Sequence, residues 1–193
     1  MLYNIAKIIL YPIFKLIYLF RVKNKPANIP NKNLIICANH KSNLDPLMVA
    51  LVVDEKVNFM AKKELFKNNF FAALLRKLYA FPVDRGNSDI ESIRTAMSRL
   101  KEGKILGIFP EGTRIKRPED IKRENFNDGI AMIATRTNSD ILPLEIKGDY
   151  KLFGKVEIVY KDIIKIEDFK SISNKKEQYE KIVDEIYNRI YNS

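Results

Sequence analysis

The stretch Asn39-His40-Lys41-Ser42-Asn43-Leu44-Asp45-Pro46 constrains this chain more than any other, and it holds the only histidine of the 193 residues. Leu34-Ile35-Ile36-Cys37-Ala38 runs into it, short, apolar and bounded upstream by Pro30 and Asn31. That pattern predicts a buried strand. Asp45-Pro46 then opens the apolar run Leu47 to Val53. Asp at an N-cap with Pro at the first helical position predicts a helix start. His40 therefore belongs to a strand-to-helix turn, where α/β proteins gather their ligands. Asp45 stands at the far side of the turn, able to fold back towards the imidazole.

A neutral imidazole is the side chain best suited to take a proton from an alcohol near pH 7. A carboxylate on its other nitrogen would fix the tautomer and stabilise the imidazolium that forms, as in two members of a catalytic triad. The third member, a protein nucleophile, is missing; a substrate hydroxyl that attacks in its own right would fill that role. The octapeptide alone equally allows Asp45 to be a plain helix cap and His40 a hydrogen-bonded turn residue. Both readings are open at this point.

Downstream, strands and helices alternate. Val57–Ala61 reads as a strand, residues 62–66 as a loop, Phe70–Leu78 as a helix and Tyr79–Val83 as a strand. Ser88-Asp89-Ile90-Glu91 forms a capping box for a helix that carries apolar residues at Ile90, Ile93, Met97 and Leu100 and stops at Gly103. Lys104–Phe109 predicts a strand, 115–125 a charged loop, Asn127–Thr137 a helix, Ile141–Ile146 and Val156–Tyr160 strands. Lys175–Tyr191 predicts a helix burying Tyr179, Ile182, Val183, Ile186 and Ile190. The alternation implies an α/β fold, a single domain with a mostly parallel central sheet flanked by helices.

Residues 1–20 are almost wholly apolar, but Lys7 and Lys15 interrupt the run, so no uncharged stretch is long enough to span a bilayer. Asn4, Lys7, Tyr11, Lys15 and Tyr18 recur at spacings of three and four and share one helical stripe. A narrow basic stripe on a wide apolar helix suits the plane of a membrane interface, its lysines reaching anionic headgroups. The run has no A-x-A-type cleavage site, which argues against a signal peptide. Residues 1–25 are thus expected to form a membrane-interface helix and 26–193 the α/β domain, with Arg21–Pro30 as a basic connector.

A formal net charge of +10 predicts anionic partners. The one cysteine, Cys37, lies within the apolar strand and has no internal disulfide partner, which predicts a reducing, cytoplasmic setting. One histidine and one cysteine also speak against a zinc or haem site, so no metal is expected. The cations sit at separate strand ends rather than on one helix face with interleaved aromatics, which argues against nucleic acid as the partner. The charged run from Lys116 to Arg123 reads as a solvated loop.

Those strand ends matter. Lys62 follows the second strand, Arg85 with Gly86 the third, and Arg114 with Gly112 the fourth. A guanidinium fork matches a phosphate well. Gly112 permits close backbone approach, and neighbouring N–H groups could stabilise an oxyanion.

Together the segments NHKSNLDP, AFPVDRG, IFPEGTR and ILPLEI, in this order and spacing, resemble the glycerolipid acyltransferases, most nearly the bacterial branch that acylates 1-acylglycerol 3-phosphate. The resemblance runs from about Leu34 to Ile146, and the combination of Asn-His-x-x-x-x-Asp with Phe-Pro-Glu-Gly-Thr-Arg is highly specific. It implies transfer of a fatty acyl group from a thioester, acyl-CoA or acyl carrier protein, to the free hydroxyl of lysophosphatidate. No cofactor beyond that co-substrate is implied. Carried over to this chain, it makes His40 the general base and Asp45 its orienting partner. Glu111, Gly112, Thr113 and Arg114 fall in the acceptor-binding motif, Arg85 and Lys62 match phosphate-binding positions, and Pro143 matches the proline of the fourth motif. The chain departs from the pattern at Ile115, where a small polar residue is usual, and at Glu145, usually apolar or small. A peripheral or monotopic place on the cytoplasmic face of the cell membrane, in contact with phospholipid, follows from the same resemblance. The competing readings are a sister acyltransferase using glycerol 3-phosphate or another lysophospholipid, and a non-catalytic anionic-lipid-binding protein.

Overall fold

All five residues of Leu34–Ala38 are buried in a strand, as their unbroken apolar character requires. The protein's structure is a computed structural model that describes residues 2–83, 90–115 and 117–192. In chain order the elements are α1 (Leu2–Tyr18), β1 (Arg21–Lys23), β2 (Leu34–Ala38), α2 (Asp45–Val52), β3 (Val57–Lys62), α3 (Asn69–Lys77), β4 (Phe81–Val83), α4 (Ile90–Lys101), β5 (Ile105–Ile108), α5 (Gly129–Thr137), β6 (Asp140–Gly148), β7 (Val156–Tyr160) and α6 (Lys175–Tyr191). The strands form a seven-stranded sheet in the order β1-β7-β6-β2-β5-β3-β4. Among the described strands only β6 and β7 pair antiparallel; the rest are parallel, giving the α/β layer fold read from the alternation.

Side chains alternate across β2 with the period of two that a strand imposes. Leu34, Ile36 and Ala38 join a core with Met48, Val49 and Val52 of α2 and with Leu10, Phe14 and Tyr18 of α1. Ile35 and Cys37 join the opposite core, where Ala96 and Leu100 of α4, Ile130 and Ile133 of α5, and Ile182, Val183, Ile186 and Ile190 of α6 converge. Burial drives the Cys37 thiol well above its usual pKa, so it behaves as a small apolar residue.

Several local expectations change. Arg21–Lys23, read as connector, is the edge strand β1, paired with β7 from Arg21↔Glu157 to Lys23↔Val159. A three-residue strand with two exposed charges carries no apolar signal, and such edges suit a sheet that must not pair further. Lys63–Phe66, Pro118–Asp120 and Arg123–Asn125 are 3₁₀ turns within stretches read as loops. Of the apolar positions of α4, Ile90 is exposed as the first residue of the helix, Leu100 is buried with Ser92 and Ala96, and Ile93 and Met97 pack behind. In α6, Tyr179 is only half-buried, while the four aliphatic positions are fully so. Ser88 and Asp89 of the capping box lie outside the described residues.

Helix α1 reverses part of its expected orientation. Tyr3 and Lys7 turn inward with Leu10, Phe14 and Tyr18. The Lys7 ammonium donates to the Val53 carbonyl at the end of α2, and to that of Asp54 at 3.5 Å. Open carbonyls at a helix C-terminus attract a cation, and this holds Lys7 away from any headgroup. The outward residues are Ile5, Ile8, Ile9, Ile13 and Leu16, with Ile8 73% and Leu16 68% exposed, and Asn4, Tyr11 and Lys15 of the expected stripe are exposed too. No helix of the described residues is long and apolar enough to cross a membrane.

Candidate active site

β2 and β5 lie side by side and parallel, yet the helices that follow them pack on opposite faces of the sheet: α2 on one, α5 on the other. Chains that leave neighbouring strands in opposite directions open a crevice at the strands' carboxyl ends, the usual ligand site of open α/β sheets. His40 follows β2 into this crevice and Glu111–Arg114 follow β5 into it. β3, ending at Lys62, is the next parallel strand outward, and β4, ending at Val83, the one after. With strands about 4.8 Å apart, the ends of these strands step away from His40 along one edge.

Asp45 is the first residue of α2, not its cap; the N-cap position is Leu44, with no side-chain cap bond. The Asp45 carboxylate instead folds back over the turn. Its Oδ2 accepts from the backbone N–H groups of Lys41 at 2.6 Å and Ser42 at 2.7 Å, and lies 2.8 Å from His40 Nδ1. Its Oδ1 accepts from the Tyr150 hydroxyl at 2.6 Å. Four donors converge on two fully buried oxygens, an arrangement suited to an acceptor-only carboxylate. The side chain thus contacts the imidazole and the backbone of the turn rather than the helix end. Nδ1 is committed to Asp45, so Nε2 is the nitrogen left to accept a proton, and among the described residues no partner occupies it. The imidazole lies flat against Phe109, ring centroids 4.3 Å apart and planes 23° apart.

The loop after β5 grips His40 by its main chain. The His40 N–H donates to Glu111 Oε2 at 2.7 Å, and the His40 carbonyl accepts from Ile115 N–H at 2.8 Å. Ile115, the departure from the family pattern, is buried here and serves through its backbone. Glu111 is itself buried, and its other oxygen accepts from the Tyr191 hydroxyl of α6. Burial lifts its carboxyl pKa from 4.5 to about 7, against the lowering pull of the Tyr191 and His40 donors. Both oxygens are thus turned into the protein, which supports a positioning role for Glu111 rather than direct acceptor contact.

The remaining members of the motif are exposed. Gly112 takes φ +66, a left-handed conformation that favours glycine, and its N–H donates to the Phe109 carbonyl at 3.1 Å, so that amide is already engaged. Thr113 and Arg114 face solvent, and among the described residues Arg114 has no hydrogen bond or ion pair. Lys62 is exposed, 3.6 Å from Glu64. Arg85 lies outside the described residues. Pro143 sits in β6 opposite Cys37, its carbonyl accepting from Lys161 N–H. Glu145 points to the sheet face away from the dyad and pairs with Lys161 at 2.9 Å and Lys147 at 3.2 Å. In the charged run, Arg117 holds Asp120 through two bonds of 2.8 and 2.9 Å. No group of three or more His, Cys, Asp or Glu that could hold a metal ion occurs among the described residues.

Three contributors escaped the sequence. Tyr150 and Tyr191 reach the dyad and its support from 105 and 80 residues away, and nothing local marks either tyrosine. Asn39 is buried and clamps Ile146 of β6 through its side chain, donating to the carbonyl at 3.0 Å and accepting from the N–H at 2.6 Å. Its adjacency to the histidine was the available signal.

The Acyltransferase family model matches residues 20–147. Over 162 residues the chain is 33% identical to the 1-acyl-sn-glycerol-3-phosphate acyltransferase of Bacillus subtilis (strain 168), covering 80% of this chain and 78% of that one. It is 34% identical over 155 residues to the enzyme of the same name from Streptococcus pneumoniae, covering 76% of this chain and 56% of that one. The crystal structure of the 1-acyl-sn-glycerophosphate (LPA) acyltransferase PlsC from Thermotoga maritima superimposes with a TM-score of 0.73 at 26% identity, covering 97% of this chain and 77% of that one.

Proposed function

The chain belongs to the Acyltransferase family, and from that footing we propose that it transfers a fatty acyl group from an acyl thioester to the free sn-2 hydroxyl of 1-acylglycerol 3-phosphate, giving phosphatidate. The observation that carries this reading is the His40–Asp45 pair, 2.8 Å apart and buried, with Nε2 unpartnered in the crevice. The named activity of its relatives agrees with it. His40 Nε2 takes the proton of the acceptor hydroxyl as that oxygen attacks the thioester carbonyl. The tetrahedral intermediate collapses, the C–S bond breaks, and the imidazolium returns the proton to the leaving thiolate. Asp45 holds the tautomer and offsets the imidazolium charge. Proton transfer of this kind contributes about 10²–10⁴ in rate.

The open guanidinium of Arg114, with Lys62 at the end of β3, provides cations for the acceptor phosphate, and Arg85 is assigned to the same phosphate on its motif. The donor is acyl carrier protein or coenzyme A carrying the acyl group, with no resident cofactor. The first 25 residues act as a membrane-interface segment on the domain of residues 26–193, and the protein works at the cytoplasmic face of the cell membrane. There α1 presents its outward isoleucines and leucines to the bilayer. The test is thiol release from acyl-CoA and from acyl carrier protein with lysophosphatidate as acceptor, the lipid product identified as phosphatidate. Release that needs the acceptor is expected; no acceptor-dependent release from either donor would sink the reading.

A further inference from the structure

The loop between β6 and β7 carries two large apolar side chains that nothing covers. Leu152 is 71% and Phe153 62% exposed. Phe153 also holds φ +58, a left-handed conformation that a bulky residue adopts only when its surroundings impose it. The surroundings are visible. Its N–H donates to the Ile17 carbonyl in the last turn of α1 at 2.7 Å, and Gly154 N–H donates to the Lys151 carbonyl at 2.8 Å, closing a tight turn. The turn is docked on α1 by its backbone, while its side chains stay out. The turn of α1 to which the loop is bonded exposes Leu16, and Leu19 just beyond the helix is exposed as well. Lys151 and Lys155 flank the pair, both exposed, Lys151 with Asp149 at 3.4 Å.

We propose that this loop is a second membrane-contacting element, Leu152 and Phe153 inserting into a leaflet that contains anionic phospholipid beside the outward face of α1. Paired apolar side chains flanked by lysines fit the headgroup boundary, where the ring and the isobutyl group enter the acyl region and the ammoniums stay among phosphates. The inference rests on the acyltransferase reading and adds to it the orientation of the molecule on the bilayer. The same loop turns Tyr150 inward, its ring edge-on to Tyr18 at 5.5 Å and its hydroxyl on Asp45. The contact with the lipid surface therefore lies two and three residues from the tyrosine whose hydroxyl donates to Asp45.

The experiment compares the full chain with a Leu152→Ser, Phe153→Asn double variant; asparagine tolerates the left-handed position, so folding is kept. Co-sedimentation with phosphatidylglycerol-containing vesicles is expected to weaken by about tenfold or more, the scale set by two large apolar side chains. A Phe153→Trp variant is expected to show a blue-shifted emission when vesicles are added. Equal vesicle binding of the double variant and parent, an unshifted tryptophan, or a loss of self-association in place of vesicle binding overturns the proposal. Thiol release with a short-chain, monomeric lysophosphatidate separates the two readings. Both proteins are expected to turn it over alike, and failure of the parent there would strike the acyltransferase reading and leave the vesicle result standing.

Discussion

The backbone N–H of His40 donates to the carboxyl of Glu111 at 2.7 Å across 71 residues of sequence. The proton on that carboxyl is therefore coupled to the fold. Its pKa rises from 4.5 unfolded to about 7 folded, so between those values the folded state binds more protons and stability falls as pH rises. A shift of this size corresponds to about 3 kcal/mol lost from acid to neutral pH. Glu111→Gln removes the titration and keeps one acceptor. Relative to the parent, the variant is expected to gain stability as pH goes from 5 to 8. Urea unfolding at both values measures it, and parallel pH curves for the two proteins would refute the buried titration.

The dyad predicts the behaviour of two further variants. His40→Ala should lose thiol release while remaining folded. Asp45→Asn should lose it too, because an amide carries no charge to offset the imidazolium and directs an NH₂ group towards donors. Since Asp45 accepts from donors on both oxygens and is wholly buried, the asparagine should also cost about 1–3 kcal/mol of stability. A mere helix cap would tolerate asparagine within a few tenths of a kcal/mol. Thermal midpoints and turnover, taken together, tell the two apart; near-normal turnover in a stable Asp45→Asn protein would abandon the dyad.

Much of this was readable from residue order. Leu34–Ala38, with no polar residue, could only be an interior strand, and the 3.6-residue rhythm from Ile182 to Ile190 located the last helix to the residue. The dyad was legible because both partners fall within one turn, five residues apart. What stayed hidden depends on the assembled sheet. Tyr150 and Tyr191 acquire their roles only when β7 and α6 are in place. Lys7 turned inward because the end of α2, far along the chain, offered it carbonyls. Arg21–Lys23 is a strand only because β7 lies beside it.

Tyr150 should act as a positioning residue. Burial and the neighbouring Asp45 charge hold its phenol far above its ordinary pKa, so it is a constant donor. Tyr150→Phe removes the one donor that the described residues place on Asp45 Oδ1 and keeps the ring against Tyr18. Turnover is expected to fall about tenfold with KM for the acceptor little changed, the value of one hydrogen bond to a charged group. A rise in KM with kcat intact would assign Tyr150 to substrate binding.

Arg114 is exposed, so its removal should leave stability within about 0.5 kcal/mol. Arg114→Ala is nonetheless expected to lower kcat/KM for lysophosphatidate by about tenfold or more. Arg85→Ala should behave likewise on the motif's assignment of Arg85 to the same phosphate. Steady-state kinetics over a range of acceptor concentrations decides each case, and an unchanged kcat/KM in both variants would remove these cations from the acceptor site.

The two bonds that fasten the His40 main chain to the Glu111 carboxylate and the Ile115 N–H have a metric consequence. The backbone bearing the base and the backbone bearing the Arg114 cation move as one body, whatever the lipid surface does beneath them. On the acyltransferase reading proposed above, the protein works as a caliper set between the base and the Arg114 backbone, against which an acceptor's hydroxyl-to-phosphate span is gauged.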